Sequence, residues 1–266
     1  MFVLLQLYKT KRSCYYNGTM YTTPLFRQTG VMDLNTFDNS PRRGASEYQN
    51  SLGQKYPKTE IGLNTNTKER ILLEAAALFS KNGYHNVSVK DIAAVVGIKP
   101  ASIYNHFENK EALWDAVLDR IYELYMLYFT RLDEALATAN TFADVLNIMF
   151  YELREGSQPF ISQGICLVQS EQFHNERAAS MFNDVIIDFS ADYIRKCFNE
   201  CIEQGLAESF DTQMMAMLFM NSVVVLNNMR VHELDGKKTP YDATRAFEGL
   251  QRFIMESAGV ESAAAG

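Results

Sequence analysis

Two glycines, Gly83 and Gly97, end two successive amphipathic segments within residues 66–114, and this pairing restricts the fold more than any other stretch of the chain. In the first segment Asn66 and Glu69 have capping-box spacing, Ile71, Ala75, Leu78 and Phe79 share one helical face, and Lys81 and Asn82 lead into the glycine. The second opens on Ser88, with Asp91 at box spacing, and buries Val89, Ile92, Ala93 and Val96. It stops at Gly97, where a left-handed backbone lets two crossed helices meet in a tight turn. Pro100 suits the first turn of a third helix, expected over 100–106, because the N–H it lacks would have no partner there. Ile103 and Phe107 face inward, which leaves Lys99, Ala101, Ser102, Tyr104, Asn105 and His106 on or beside the outer side. A helix so short adds little stability by itself; held out by two others, it suits entry into a DNA major groove. Asn109-Lys110-Glu111 then caps a long helix through Leu113, Trp114, Val117 and Leu118.

The order Phe79, Gly83-Tyr84, Ser88-Val89, Ile92-Ala93, Gly97-Ile98, Ile103-Tyr104-Asn105-His106-Phe107, Asn109-Lys110-Glu111 and Leu113 resembles the DNA-binding head of the TetR family of transcriptional regulators. By that resemblance Tyr104, His106 and Lys110 hold the DNA backbone, together with Ser88 and the amides at the start of the second helix. Such contacts place the helix without reading sequence. Base reading falls to Lys99, Pro100, Ala101 and Ser102, since a lysine reaches guanine and an alanine or proline ring lies against a thymine methyl. Val89 and Asn105 complete the expected DNA-facing set. Pro100 departs from many relatives, which carry a polar or charged residue there. His106 has a second reading, as a cap for the third helix.

The formal charge of −7 argues against a nucleic-acid partner until its distribution is considered. Residues 1–66 carry eight basic against four acidic side chains, 67–112 six against five, and 113–266 eleven against twenty-three. The acidity lies outside the head. A head this weakly basic gains little from bulk attraction, so useful binding calls for two heads, hence a homodimer. Cys14, Cys166, Cys197 and Cys201 form neither a secreted disulfide framework nor a zinc ribbon, which fits a reducing cytoplasm. The apolar run around 214–226 falls short of a bilayer span. No membrane association, cofactor or metal is expected.

The expected fold is all-α: an N-terminal three-helix helix-turn-helix head over 66–112 joined to a C-terminal antiparallel bundle over 113–259, with a flexible tail at 260–266. Residues 1–65 lack helical period, and Ser40-Pro41-Arg42-Arg43-Gly44 is linker chemistry. This segment is expected to be a disordered extension, or to lie outside the translated chain, since Met20 and Met32 offer later starts. A basic arm touching DNA is the other reading. Helices are expected from 109 to about 137, then over 141–156, 159–174, 176–204, 211 onward, and 241–258.

The helix from 211 is apolar nearly all round, so a second copy of the chain is expected to cover what its own bundle does not. Met217, Met220, Val224, Phe247, Leu250 and Ile254 are the candidates for that seam. Phe150, Tyr151, Phe173, Phe182, Phe189 and Tyr193, with the methionines, are candidates to line a site for a greasy or aromatic effector. Glu171 and His174 have the spacing of a helical metal pair, but with no second motif they read as a surface pair. Cys197 and Cys201, one turn apart, read as small core residues ahead of a redox sensor.

The function these readings imply is a sequence-specific DNA-binding regulator, more often a repressor, released from a near-palindromic operator by a small hydrophobic or aromatic effector. A regulator controlled by a protein partner is the alternative. An all-α enzyme using His174 or a cysteine is a remote one, as no nucleophile has a base at motif spacing.

Overall fold

The computed structural model describes residues 13–16, 19–22, 47–49, 55–57, 67–151, 159–234 and 242–260. Ahead of the head there are two short antiparallel hairpins, β1 (Ser13–Tyr16) with β2 (Thr19–Thr22), and β3 (Glu47–Gln49) with β4 (Lys55–Pro57). The extension is therefore not irregular throughout. The first pairing sets Tyr16 opposite Thr19, and the sequence between them reads Asn-Gly, the strongest short-range hairpin signal. The remainder of 1–66, and with it the capping role expected of Asn66, lies outside the described residues.

Everything from residue 67 onward that is described is helix or turn, and the molecule is of the all-α class. The head consists of α1 (Thr67–Asn82), α2 (Val89–Val96) and α3 (Pro100–Ile103). α1 buries Ile71, Leu72, Leu73, Ala75, Ala76 and Phe79, a face wider than the spacing alone indicates because α1 packs on the body as well as on α2. α2 has the full capping box at Ser88 and Asp91, and Gly97 takes φ 76° so that the Ile98 N–H turns back to the Ala93 carbonyl at 3.0 Å. α3 is a single turn with Pro100 at its start; the chain from Tyr104 to His106 continues as a turn instead of as helix.

α4 (Lys110–Leu136) is capped by Asn109 and runs from the head into the body. α5 (Phe142–Tyr151) and α6 (Pro159–Glu171) follow, and 152–158 lie outside the described residues. The single helix expected over 176–204 is an unbroken rod of three parts: α7 (Glu176–Ser180), a π-helical stretch over Met181–Phe189, and α8 (Ser190–Glu203). The wider π turn has a packing reason. It brings the Ser190 hydroxyl within 2.8 Å of the Tyr125 hydroxyl and sets Phe189 and Tyr193 edge-on to Phe129 of α4. α9 (Thr212–Leu234) and α10 (Ala243–Ser257) complete the bundle. At the crossing of α6 and α4, a Cβ on Gly164 would lie 2.8 Å from the Ile121 side chain, so only glycine permits this approach. No described helix is long and apolar enough to cross a membrane.

Candidate nucleic-acid interface

Ile103 and Phe107 anchor α3 in the head core, and Lys99, Pro100, Ala101, Tyr104, Asn105 and His106 all stand in solvent, with Ser102 half-buried. Ser88 is exposed and Val89 half-buried at the start of α2. Nine of the ten residues expected to face DNA are thus gathered around α3 and the start of α2, and the tenth is differently engaged. Lys110 is half-buried; its Nζ donates to the Tyr84 carbonyl at 2.6 Å and lies 4.1 Å from the Tyr84 ring centroid. Burial lowers its pKa, against the pull of Glu111 and Glu171. Burial, aided by Glu111, likewise pushes the Tyr84 phenol up to about 12. In this conformation Lys110 clamps the α1–α2 turn.

Ser88 is engaged as well. Its hydroxyl lies 2.6 Å from Asp91 Oδ2, its Oγ accepts the Asp91 N–H at 3.2 Å, and its own N–H donates to the carboxylate at 2.8 Å. These bonds hold the Asp91 carboxyl below the usual range. A depressed folded-state pKa stabilises the head above the unfolded value, and that part is lost as pH falls through the lowered one. Ser88→Ala is expected to cost about 1 kcal/mol of head stability. In the same variant the Asp91 titration, followed by NMR, should return toward the ordinary carboxylate value. An unmoved titration would mean that the box is not what lowers it.

Lys90 lies outside the expected DNA-facing set. It is exposed in the first turn of α2 beside Ser88, on the face opposite Ile92, Ala93 and Val96, where helical periodicity alone would have put it. The frame behind α2 and α3 is tied by Arg70, whose guanidinium donates to the Val96 carbonyl at 2.7 Å, and by a Glu69–Arg120 pair at 3.0 Å between α1 and α4. Phe79, Tyr84 and Trp114 form an aromatic knot at its centre.

The candidate body residues divide differently. Phe173 is 82% exposed and Tyr151 59%, so among the described residues neither lines an enclosed site; Tyr151 ends α5 and Phe173 lies in the turn after α6. Phe150 packs on Phe219 and Phe247, while Phe189 and Tyr193 pack on Phe129, and Phe182 is buried in the π stretch. Phe150, Phe182, Phe189 and Tyr193 thus share one hydrophobic core, and Tyr151 and Phe173 stand outside it. Of the expected seam, Met217 is exposed and Phe247 and Leu250 are half-buried, whereas Met220, Val224 and Ile254 belong to the chain's own core. The outward apolar stripe is Met214, Met217, Leu218 and Val225, with Phe253 on α10. That Met220 and Val224 turn inward follows from no signal in the composition of α9, since a helix apolar all round does not mark its inner face.

Glu171 is not a surface residue: it is 7% exposed and accepts the Tyr84 N–H at 3.0 Å, while His174 alone is exposed. Cys197 and Cys201 are both buried. Burial pushes the Cys197 thiol up strongly and the Cys201 thiol to about 11, which leaves little thiolate at neutral pH and speaks against redox sensing. A thiol reagent near neutral pH should leave both unlabelled in the native protein and label both after unfolding; native labelling would contradict this burial.

Comparison with known proteins bears on the two parts separately. The family model described as "Bacterial regulatory proteins, tetR family" matches residues 71–117. The HTH-type transcriptional regulator UidR of Escherichia coli (strain K12) is 44% identical over 52 residues, 20% of this chain and 26% of that protein. The negative regulator IcaR of the biofilm operon icaADBC in Staphylococcus epidermidis is 33% identical over 64 residues, 24% of this chain and 35% of that protein. The chain thus matches only about a quarter to a third of these relatives' length. For the body the likeness is one of fold. A transcriptional regulator from Saccharomonospora viridis, crystallised with choline, aligns with a TM-score of 0.59 at 23% identity over 75% of this chain and 100% of its own. Salmonella enterica GusR aligns with a TM-score of 0.54 at 20% identity over 76% and 99%. The head thus matches the tetR family model over residues 71–117, and the helical body is similar in fold to solved transcriptional regulators.

Proposed function

We propose that the chain is a sequence-specific DNA-binding transcriptional regulator, a repressor released from a near-palindromic operator by a small hydrophobic or aromatic effector. The observation that carries the DNA reading is the one-turn helix α3, anchored by Ile103 and Phe107, with Pro100 and Ala101 open to solvent and Ser102 half-buried. In this reading residues 66–112 form the DNA-binding unit, and Lys99, Pro100, Ala101 and Ser102 face bases. Ser88, Val89, Tyr104, Asn105 and His106 hold the backbone, with Lys110 joining them if its bond to the Tyr84 carbonyl opens. Residues 113–259 pair two copies and hold the effector. Two copies joined through the stripe on α9 and α10 would offer two recognition helices to grooves about 34–36 Å apart. An effector favouring another head spacing would release DNA, to the extent that it binds the two states unequally. A cytoplasmic location goes with this reading.

Both sequence relatives named above are regulators of transcription, and one solved relative carries a bound small cation, which supports the class of function and of control. A second reading, control by a protein partner, is favoured by the exposed rings of Tyr151 and Phe173. Footprinting with a thermal-shift screen separates the two: a stabilising compound that abolishes the footprint supports the effector, and an intact footprint with no such compound supports the partner.

A further inference from the structure

The corner between α6 and α7 reaches the head at two points. Glu171, the last residue of α6, accepts the Tyr84 N–H at 3.0 Å, and its Oε1 lies 3.6 Å from where a Cβ on Gly83 would stand. On the far side of the same residue, Lys110 donates to the Tyr84 carbonyl. Tyr84 is therefore held at both of its peptide groups, from the body at one and from the start of α4 at the other. Past the corner, Arg177 of α7 pairs with Asp115 and Asp119 of α4.

The turn held in this way leads directly into the DNA-facing set. The Val87 N–H bonds back to the Tyr84 carbonyl at 3.4 Å, Ser88 opens α2, and α2 carries α3 through the turn at Gly97. A displacement at Tyr84 is thus a displacement of the seat of α2. Of the DNA-facing set Glu171 acts on Lys110, by charge, and a part-buried backbone donor deprived of its acceptor is costly, so the chain would move to satisfy it.

We propose that Glu171 is a positioning residue for DNA binding: a body carboxylate that fixes the Gly83-Tyr84 turn and so aims α2 and α3. The inference rests on the DNA reading above and deepens it, because any change in the body that moves the end of α6 then acts on the head through this bond.

The test uses the full chain and the duplex that the wild type enriches from a random pool. Glu171→Met is expected to bind that duplex about tenfold more weakly, whereas Glu171→Gln, whose amide oxygen still accepts the N–H, is expected to stay within about threefold of wild type. Hydrogen exchange at the Tyr84 amide should be slow in the wild type and the Gln variant and fast in the Met variant. Should Glu171→Met fail to fold, Glu171→Asp, which withdraws the carboxylate by one methylene, carries the same expected loss. Binding by the Met (or Asp) variant equal to wild type, or a Gln variant as weak as Met, overturns the inference alone. A wild type that enriches no duplex overturns the DNA reading, and the positioning role with it.

Discussion

Phe79→Ala is expected to unfold the head and abolish duplex binding while leaving the body helical. The ring is fully buried, with its centroid 5.3 Å from that of Tyr84 and 5.6 Å from that of Trp114, and Lys110 Nζ lies 5.9 Å from it. One side chain therefore joins α1, the α1–α2 turn and α4. Removing a buried phenylalanine costs about 3–5 kcal/mol, from the lost burial and the cavity left behind. Domains have only about 5–15 kcal/mol to lose, and a small three-helix head sits at the low end. The Tyr84 clamp would fail too, because Lys110 and Glu171 hold a turn that packs on this ring. Denaturant unfolding followed by Trp114 fluorescence checks the head, and circular dichroism checks the body. A Phe79→Ala chain that melts like wild type and binds the same duplex would remove the aromatic knot from the account.

The second large effect belongs to the stripe on α9. Leu218→Arg with Val225→Arg places two charges on the same face of α9 as Met214 and Met217, exposed among the described residues. Burying unpaired charge costs several kcal/mol per ion, more than a helical interface readily absorbs, so the variant should sediment as a monomer. Both side chains already face solvent, Val225 at 57% exposed, so the monomer should remain folded. Without the second head, the gain from tethered binding is lost, and operator affinity should fall by about a hundredfold or more. Val224→Arg gives the contrast: Val224 is buried in the chain's own core, so that change should unfold the body. A double-arginine variant that stays dimeric would put the contact between copies elsewhere.

The head was legible almost residue by residue because its signals are local. A capping box, a left-handed glycine and a proline at a helix start each fix their own few residues, and the structure has all three at Ser88, Gly97 and Pro100. The body was legible as helices but not as faces. The same apolar wealth that announces α9 hides which side is inward, and Met220 and Val224 were assigned outward for that reason. Sequence spacing marks Glu171 as a surface acid because it reports only neighbours on its own helix, whereas its partner, Tyr84, lies far away along the chain. The π stretch could not be anticipated either, since what selects it is the fit of Ser190 and Tyr193 to α4, not a property of residues 181–189. The β1–β2 pairing has a sequence signal of its own, the Asn-Gly between its strands.

Selection of bound duplex from a random pool by the full-length chain tests the central claim most directly, because it reads the open face of α3 and the pairing of two heads together. The account predicts enrichment of a near-palindrome whose half-sites are centred about 10 base pairs, one helical turn, or a multiple of that apart. Failure to enrich any duplex, or enrichment of a single unpaired half-site, would contradict it.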